Sequence, residues 1–228
     1  MRHLAFTLAP GRAVYGLTPV ENGNEVYRKS VQNTAIIYYH NLVDFYPQGP
    51  YLLLGHSGRG LFTLELARLL LQNGKDVGFL GLLDTYPLKK VSPGEQLNFH
   101  TNNLLHKNIP EILKYIENSL RRFSTRWWIK LLNPKTVERY QKEGRFPVQE
   151  VMDHLMRAYT PQPYQGQVTL FSITDHLSEV DEDLMKRWAN TFIGQLNIVT
   201  VPGDHVSMLK QPHVAVLAEK IDALLPPD

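Results

Sequence analysis

The segment Tyr51-Leu52-Leu53-Leu54-Gly55-His56-Ser57-Gly58 constrains this chain more than any other. Its apolar run reads as a buried strand, and the amphipathic stretch from Leu61 to Leu71 reads as a helix that stops at Asn73-Gly74. A serine at the sharp turn between them is held out of the sheet, with a helix N-terminus behind it. Serine is a poor nucleophile near neutral pH and needs a base and an orienting acid. Candidates for both follow at strand-like ends. Asp84 closes Phe79-Leu80-Gly81-Leu82-Leu83, and His205 follows Asn197-Ile198-Val199-Thr200-Val201 and the turn Pro202-Gly203-Asp204.

The rest of the chain has the rhythm that such a turn requires. Strand-like and helix-like segments alternate, which predicts a parallel sheet with helices on its faces. Ala13 to Leu17 reads as a short strand and about Val26 to Tyr46 as a helix, broken by Pro47-Gln48-Gly49-Pro50. Val77–Leu83, Val168–Ile173 and Ile198–Val201 read as further strands, and Val214 to Leu225 as a closing helix. The order Ser, Asp, His on this frame is that of an α/β-hydrolase, so the predicted fold class is α/β: a mostly parallel, hydrolase-like sheet flanked by helices. One detail departs from the usual Gly-x-Ser-x-Gly pattern. Arg59 stands where the second glycine is expected, with glycines at 58 and 60, so Arg59 has to point outward.

Between Pro87 and Pro163 the strand signals stop and helical patterns dominate, among them Ile109–Phe123, Trp127–Leu132 and Val148–Tyr159. A helical insertion of this length between two sheet strands, residues 88–163, reads as a lid over a substrate channel. The plainer alternative is a helical subdomain that covers core. The whole chain, 1–228, reads as one domain.

Composition narrows the classes. A chain of 228 residues with 43% hydrophobic and 10% aromatic residues can bury a sizeable core. The net charge of +2 gives no strong pull toward nucleic acid or anionic lipid. With no cysteine there is no disulfide, thiolate metal site or cysteine nucleophile. His100, His106, His154, His176 and His213 show no metal-ligand spacing, and no metal site is assigned. No apolar run reaches membrane-spanning length, and no signal peptide is evident, so the expected location is cytoplasmic.

With these residues placed, the chain resembles the thioesterase domains that end nonribosomal peptide and polyketide synthetases. The resemblance runs essentially end to end. It rests on Val14-Tyr15-Gly16-Leu17, Gly49-Pro50-Tyr51-Leu52-Leu53-Leu54-Gly55-His56-Ser57, Leu82-Leu83-Asp84-Thr85, Tyr164-Gln165-Gly166-Gln167-Val168-Thr169-Leu170-Phe171 and Gly203-Asp204-His205-Val206-Ser207-Met208-Leu209. It implies an acyl or peptidyl chain presented on the phosphopantetheine arm of a carrier protein, transferred to serine, and released by hydrolysis or cyclisation. No cofactor bound to the domain itself is implied. The resemblance also implies an earlier strand with a His-Pro/Gly-Gly-type loop supplying one oxyanion donor. Here the chain starts near Arg2-His3-Leu4, which reads as N-terminally incomplete; the other donor is the Gly58 N–H.

The expected roles are Ser57 as nucleophile, His205 as base, and Asp84 as the acid that orients His205. Asp84 is favoured by the resemblance; Asp175, after the later strand, is the rival acid. His56 precedes the nucleophile on a strand and so should face away from it, in a structural role. Asp204 is expected to shape the turn at His205. Arg121 and Arg122, with Arg126, Trp127 and Trp128, form a basic-aromatic stretch that is either a solvated helix face or a contact for the carrier protein. Two other functions stay open on the sequence: a general serine esterase, or a catalytically impaired remnant acting as a non-catalytic domain.

Overall fold

In the computed structural model the structure describes residues 1–8, 11–18, 30–87, 155–173 and 191–226, residues 152 and 188, and the backbone of 20–21 and 24–25. The frame is a four-stranded sheet of β3 (Tyr51–His56), β4 (Val77–Leu83), β5 (Val168–Ile173) and β6 (Leu196–Val201), in that spatial order and parallel throughout. A separate two-residue antiparallel pair joins β1 (Val20–Glu21) and β2 (Asn24–Glu25). Helix α1 spans Arg2–Thr7, α2 Val31–Phe45, α3 Arg59–Gln72 and α4 His213–Asp222.

Among the described crossovers, β3 passes to β4 through α3, and the apolar runs of β4 and β5 suit a sheet covered on both faces. All six residues of β5 are buried. Alternate side chains of β4 serve opposite layers. Leu80 and Leu82 pack with Val31 and Tyr38 of α2 and Leu61, Phe62 and Leu66 of α3. Phe79 and Leu83 pack with Leu4 of α1 and Val214, Leu217 and Ile221 of α4. The result is three layers, α2 and α3 on one face and α1 and α4 on the other, as the alternating pattern predicts.

Local signals set the helix ends. Ser30 caps α2, its Oγ accepting from the Asn33 N–H at 3.1 Å. After α3 the chain turns at Gly74, whose φ of +68° suits glycine.

One expected strand is absent. Residues Ala13 to Leu17 form no strand. A strand exists through its ladder, and among the described residues no strand lies beside this segment. It runs as an irregular strap instead. Arg12 donates from Nη2 to the Pro226 carbonyl at 3.2 Å, and the Tyr15 ring meets Phe45 edge-on at 4.9 Å between centroids. Val14, Tyr15 and Leu17 are exposed.

The expected 88–163 insertion lies largely outside the described residues; its last part, from Leu155, packs into the core on the α3 side through Leu155, Met156 and Tyr159. No helix among the described residues is long and apolar enough to cross a membrane. Nor does any cluster of three or more His, Asp or Glu there suit a metal ion.

Candidate active site at the ends of the sheet strands

Ser57 is the first residue beyond β3 and has φ of 57°, in the left-handed region. A non-glycine residue held there is uncommon, and such strain collects at functional turns. The turn is held from both sides. The Ser57 N–H donates to the Leu83 carbonyl at 2.8 Å, which carries the β3–β4 ladder one residue further. The Gly60 N–H then returns to the Ser57 carbonyl at 2.9 Å, and α3 begins at once.

Two glycines let the helix start so close to the strand. A Cβ on Gly55 would lie 2.6 Å from the Gly60 Cα, and one on Gly60 would lie 2.1 Å from Thr85 Oγ1. Close helix–strand approach therefore falls on Gly60, and the Arg59 side chain is exposed. The departure from the usual pattern is accommodated by placing the essential glycine one position later. Gly58 takes helical angles at the N-cap of α3, where the first N–H groups have no intrahelical acceptor. Above it sits buried Met156, whose Sδ would be 1.9 Å from a Cβ on Gly58.

Asp84 repeats this geometry one strand over. It follows β4, has φ of 42°, and donates its N–H to the Phe171 carbonyl at 2.8 Å. Its carboxylate is buried at 3% exposure and is held on both oxygens. His205 Nδ1 meets Oδ2, and the Tyr86 hydroxyl donates to Oδ1. The partner His205 is far more open, with 47% of its side chain exposed.

The loop that presents His205 is built from polar contacts. Gly203 turns the chain at φ of +94°. Asp204 Oδ1 accepts from the Val206 and Ser207 N–H groups at 2.8 and 2.9 Å, and Ser207 Oγ accepts from the Asp204 N–H at 2.8 Å. This reciprocal cap starts the 3-10 turn Ser207–Leu209. The Ser207 and Val206 N–H groups hold the exposed Asp204 carboxyl below the usual carboxylate range.

The contacts of His56 are with the His205 loop. The His56 Nε2–H donates to the His205 carbonyl at 3.1 Å, and the two rings stack with centroids 4.8 Å apart at 28°. Burial pushes the His56 ring below the ordinary histidine pKa, against the raising effect of that carbonyl.

The structure thus joins Asp84 to His205 directly; the Ser57 N–H is bonded to Leu83, which precedes Asp84, and Ser57 follows His56, whose ring stacks on His205. Among the described residues the Ser57 hydroxyl is not hydrogen-bonded to the His205 ring. Such contacts are often long before substrate binds. Asp175, Arg121 and Arg122 lie outside the described residues. Sequence reasoning missed the contacts of Tyr86, Met156 and His56. It also missed the fully buried Glu65, which accepts from Arg68 Nη2 at 2.5 Å and from the Tyr159 hydroxyl at 2.8 Å. Desolvation and the Glu65 charge push Tyr159 above the ordinary tyrosine range.

A serine-bearing turn between a parallel strand and a helix, with an acid–histidine pair at the ends of two other strands of the same sheet, defines an α/β-hydrolase-like protein. Residues 15–225 match the thioesterase domain family, and the chain belongs to that family of hydrolases. Its fold is similar to the Vlm2 thioesterase domain bound with a dodecadepsipeptide, with a TM-score of 0.59 and 22% identity over 98% of this chain and 90% of that one. Among curated proteins it is 23% identical to chondramide synthase of Chondromyces crocatus over 97% of its own length, and 24% identical to microperfuranone synthase of Emericella nidulans over 95%. It spans 6% and 25% of those two proteins.

Proposed function

We propose that this domain releases an acyl or peptidyl chain from the phosphopantetheine arm of a carrier protein through a Ser57 acyl-enzyme. The observation that carries the reading is the left-handed Ser57 turn at the end of β3, at the same rim of the sheet as the Asp84–His205 contact, which joins the ends of β4 and β6. Ser57 Oγ attacks the thioester carbonyl while His205 Nε2 takes its proton. Collapse of the tetrahedral oxyanion expels the pantetheine thiolate, which leaves as the thiol with that proton. Water, or a hydroxyl or amine within the chain itself, then attacks the ester with His205 again as base, giving a free acid or a ring.

Asp84 keeps His205 in the Nδ1–H tautomer and supports the imidazolium. The Gly58 N–H, at the start of α3, stabilises the oxyanion. The relatives are synthases far longer than this chain, which supports a carrier protein as donor. In this reading Met156, which packs on Gly58, belongs to a lid over the site.

Covalent labelling tests it. A fluorophosphonate probe, then an acyl-pantetheine thioester, should each add their mass to the wild-type chain and not to Ser57→Ala. Absence of a Ser57-dependent adduct on folded protein would overturn the reading.

A further inference from the structure

We propose that His56 is a positioning residue for His205, holding the base from its ring face and from its backbone at once. The inference rests on the reading of His205 as the base. Its grounds are geometric. A carbonyl only accepts, so the 3.1 Å contact makes His56 the donor through Nε2–H and pins the His205 main chain. The stacked rings limit rotation of the His205 imidazole about its own axis. Asp84 holds the Nδ1 edge. A five-membered ring held at one edge, on one face and at its own backbone presents its opposite edge, Nε2, in one direction.

The need for such a device follows from the loop. His205 is half exposed and stands on a turn made of polar contacts, whereas Ser57 is fixed by close packing of backbone. A base on a solvated loop has several rotamers to lose, and misplacement by about an ångström can cost roughly a hundredfold in rate. His56 belongs to β3, the same strand that ends in Ser57, so it references the base to the strand that carries the nucleophile.

The pair also suits the charge that develops. When His205 becomes an imidazolium, a neutral stacked ring is a favourable neighbour and a second cation is not. Burial favours neutral His56, and so does the His205 charge. The charged and titratable groups bearing on His56 are His205, Asp84 and the Met1 α-amino group; Asp84 favours protonation and the other two oppose it.

Three variants of the full chain separate the contacts. His56→Phe keeps a flat ring and loses the donor, His56→Gln keeps a donor and loses the stack, and His56→Ala loses both. Two readouts are used: the pH profile of kcat/KM on an acyl-pantetheine thioester, and the His205 Nδ1–H proton resonance. We expect His56→Ala to lower kcat roughly tenfold to a hundredfold with little change in KM. The acidic limb of the profile should shift and the His205 resonance should broaden or move. Phe and Gln should each restore part of the rate.

An Ala variant whose residual rate tracks only its labelled fraction, with wild-type pH profile and resonance, would overturn the proposal. If His56→Ala does not fold, Phe and Gln decide it on the same readouts. Should wild type fail to label at Ser57, the functional reading falls; the His205 resonance still reports whether His56 holds the ring.

Discussion

The turn that carries Ser57 and the loop that carries His205 are held by opposite means. At Ser57 the restraint is steric: a left-handed residue between a ladder hydrogen bond to Leu83 and a turn hydrogen bond from Gly60, with Gly55 and Gly60 in backbone contact and no room for a side chain. At His205 it is polar and solvated: an Asp204–Ser207 cap, and a ring open on one side. The first cannot be altered without disturbing the core, and the second can be loosened while the fold stands. Asp84 bridges them, since its backbone extends the sheet and its carboxylate reaches the loop.

Breaking the bridge should have the largest effect. Asp84→Asn should lower kcat about ten-thousand-fold, by analogy with the wrong-tautomer effect in triads, with a melting curve close to wild type. Full activity in a steady-state thioester assay would remove Asp84 from the mechanism.

Next comes the ground behind Ser57. Arg68→Ala leaves the fully buried Glu65 carboxylate with only the Tyr159 hydroxyl. Stripping a buried pair of one partner costs about 3–5 kcal/mol, and the partial exposure of Arg68 places this case nearer 2–3 kcal/mol. Urea unfolding of the variant measures it. A smaller loss, about 1–3 kcal/mol, is expected for Gly60→Ala, which forces a methyl against Thr85. The midpoint should fall and the labelling rate with it, because the same contact sets the Ser57 turn.

The loop should behave differently. Asp204→Ala should slow turnover while leaving the unfolding midpoint nearly unchanged. A midpoint drop as large as that of Gly60→Ala would erase the distinction between the two regions. The smallest effect is on pH. His56 is depressed below its ordinary value, so its contribution to stability is complete above about pH 6.5 and is lost as pH falls toward its folded value. His56→Phe should flatten that acid limb in thermal melts taken between pH 7 and 5.

What was legible in the sequence were features that a short window carries. The apolar runs of β3 to β6 and the residues that end them gave the parallel sheet and set Ser57, Asp84 and His205 at its rim. Segment 13–17 looked equally strand-like, because apolar alternation does not reveal whether a neighbour exists to complete a ladder. The contact of His56 with the His205 carbonyl spans 149 positions, and no local pattern marks it. The Glu65–Arg68–Tyr159 network and the seat of Met156 on Gly58 join residues some ninety positions apart, and nothing local marks them.

Met156 has one more consequence. A thioether is unbranched, polarizable and easily re-packed, so the stopper above the first N–H groups of α3 is a soft one. On the proposed reading, a carbonyl group arriving there meets a side chain with three rotatable bonds rather than a branched one. A stiffer branched residue at position 156 would then be expected to select against bulky acyl groups.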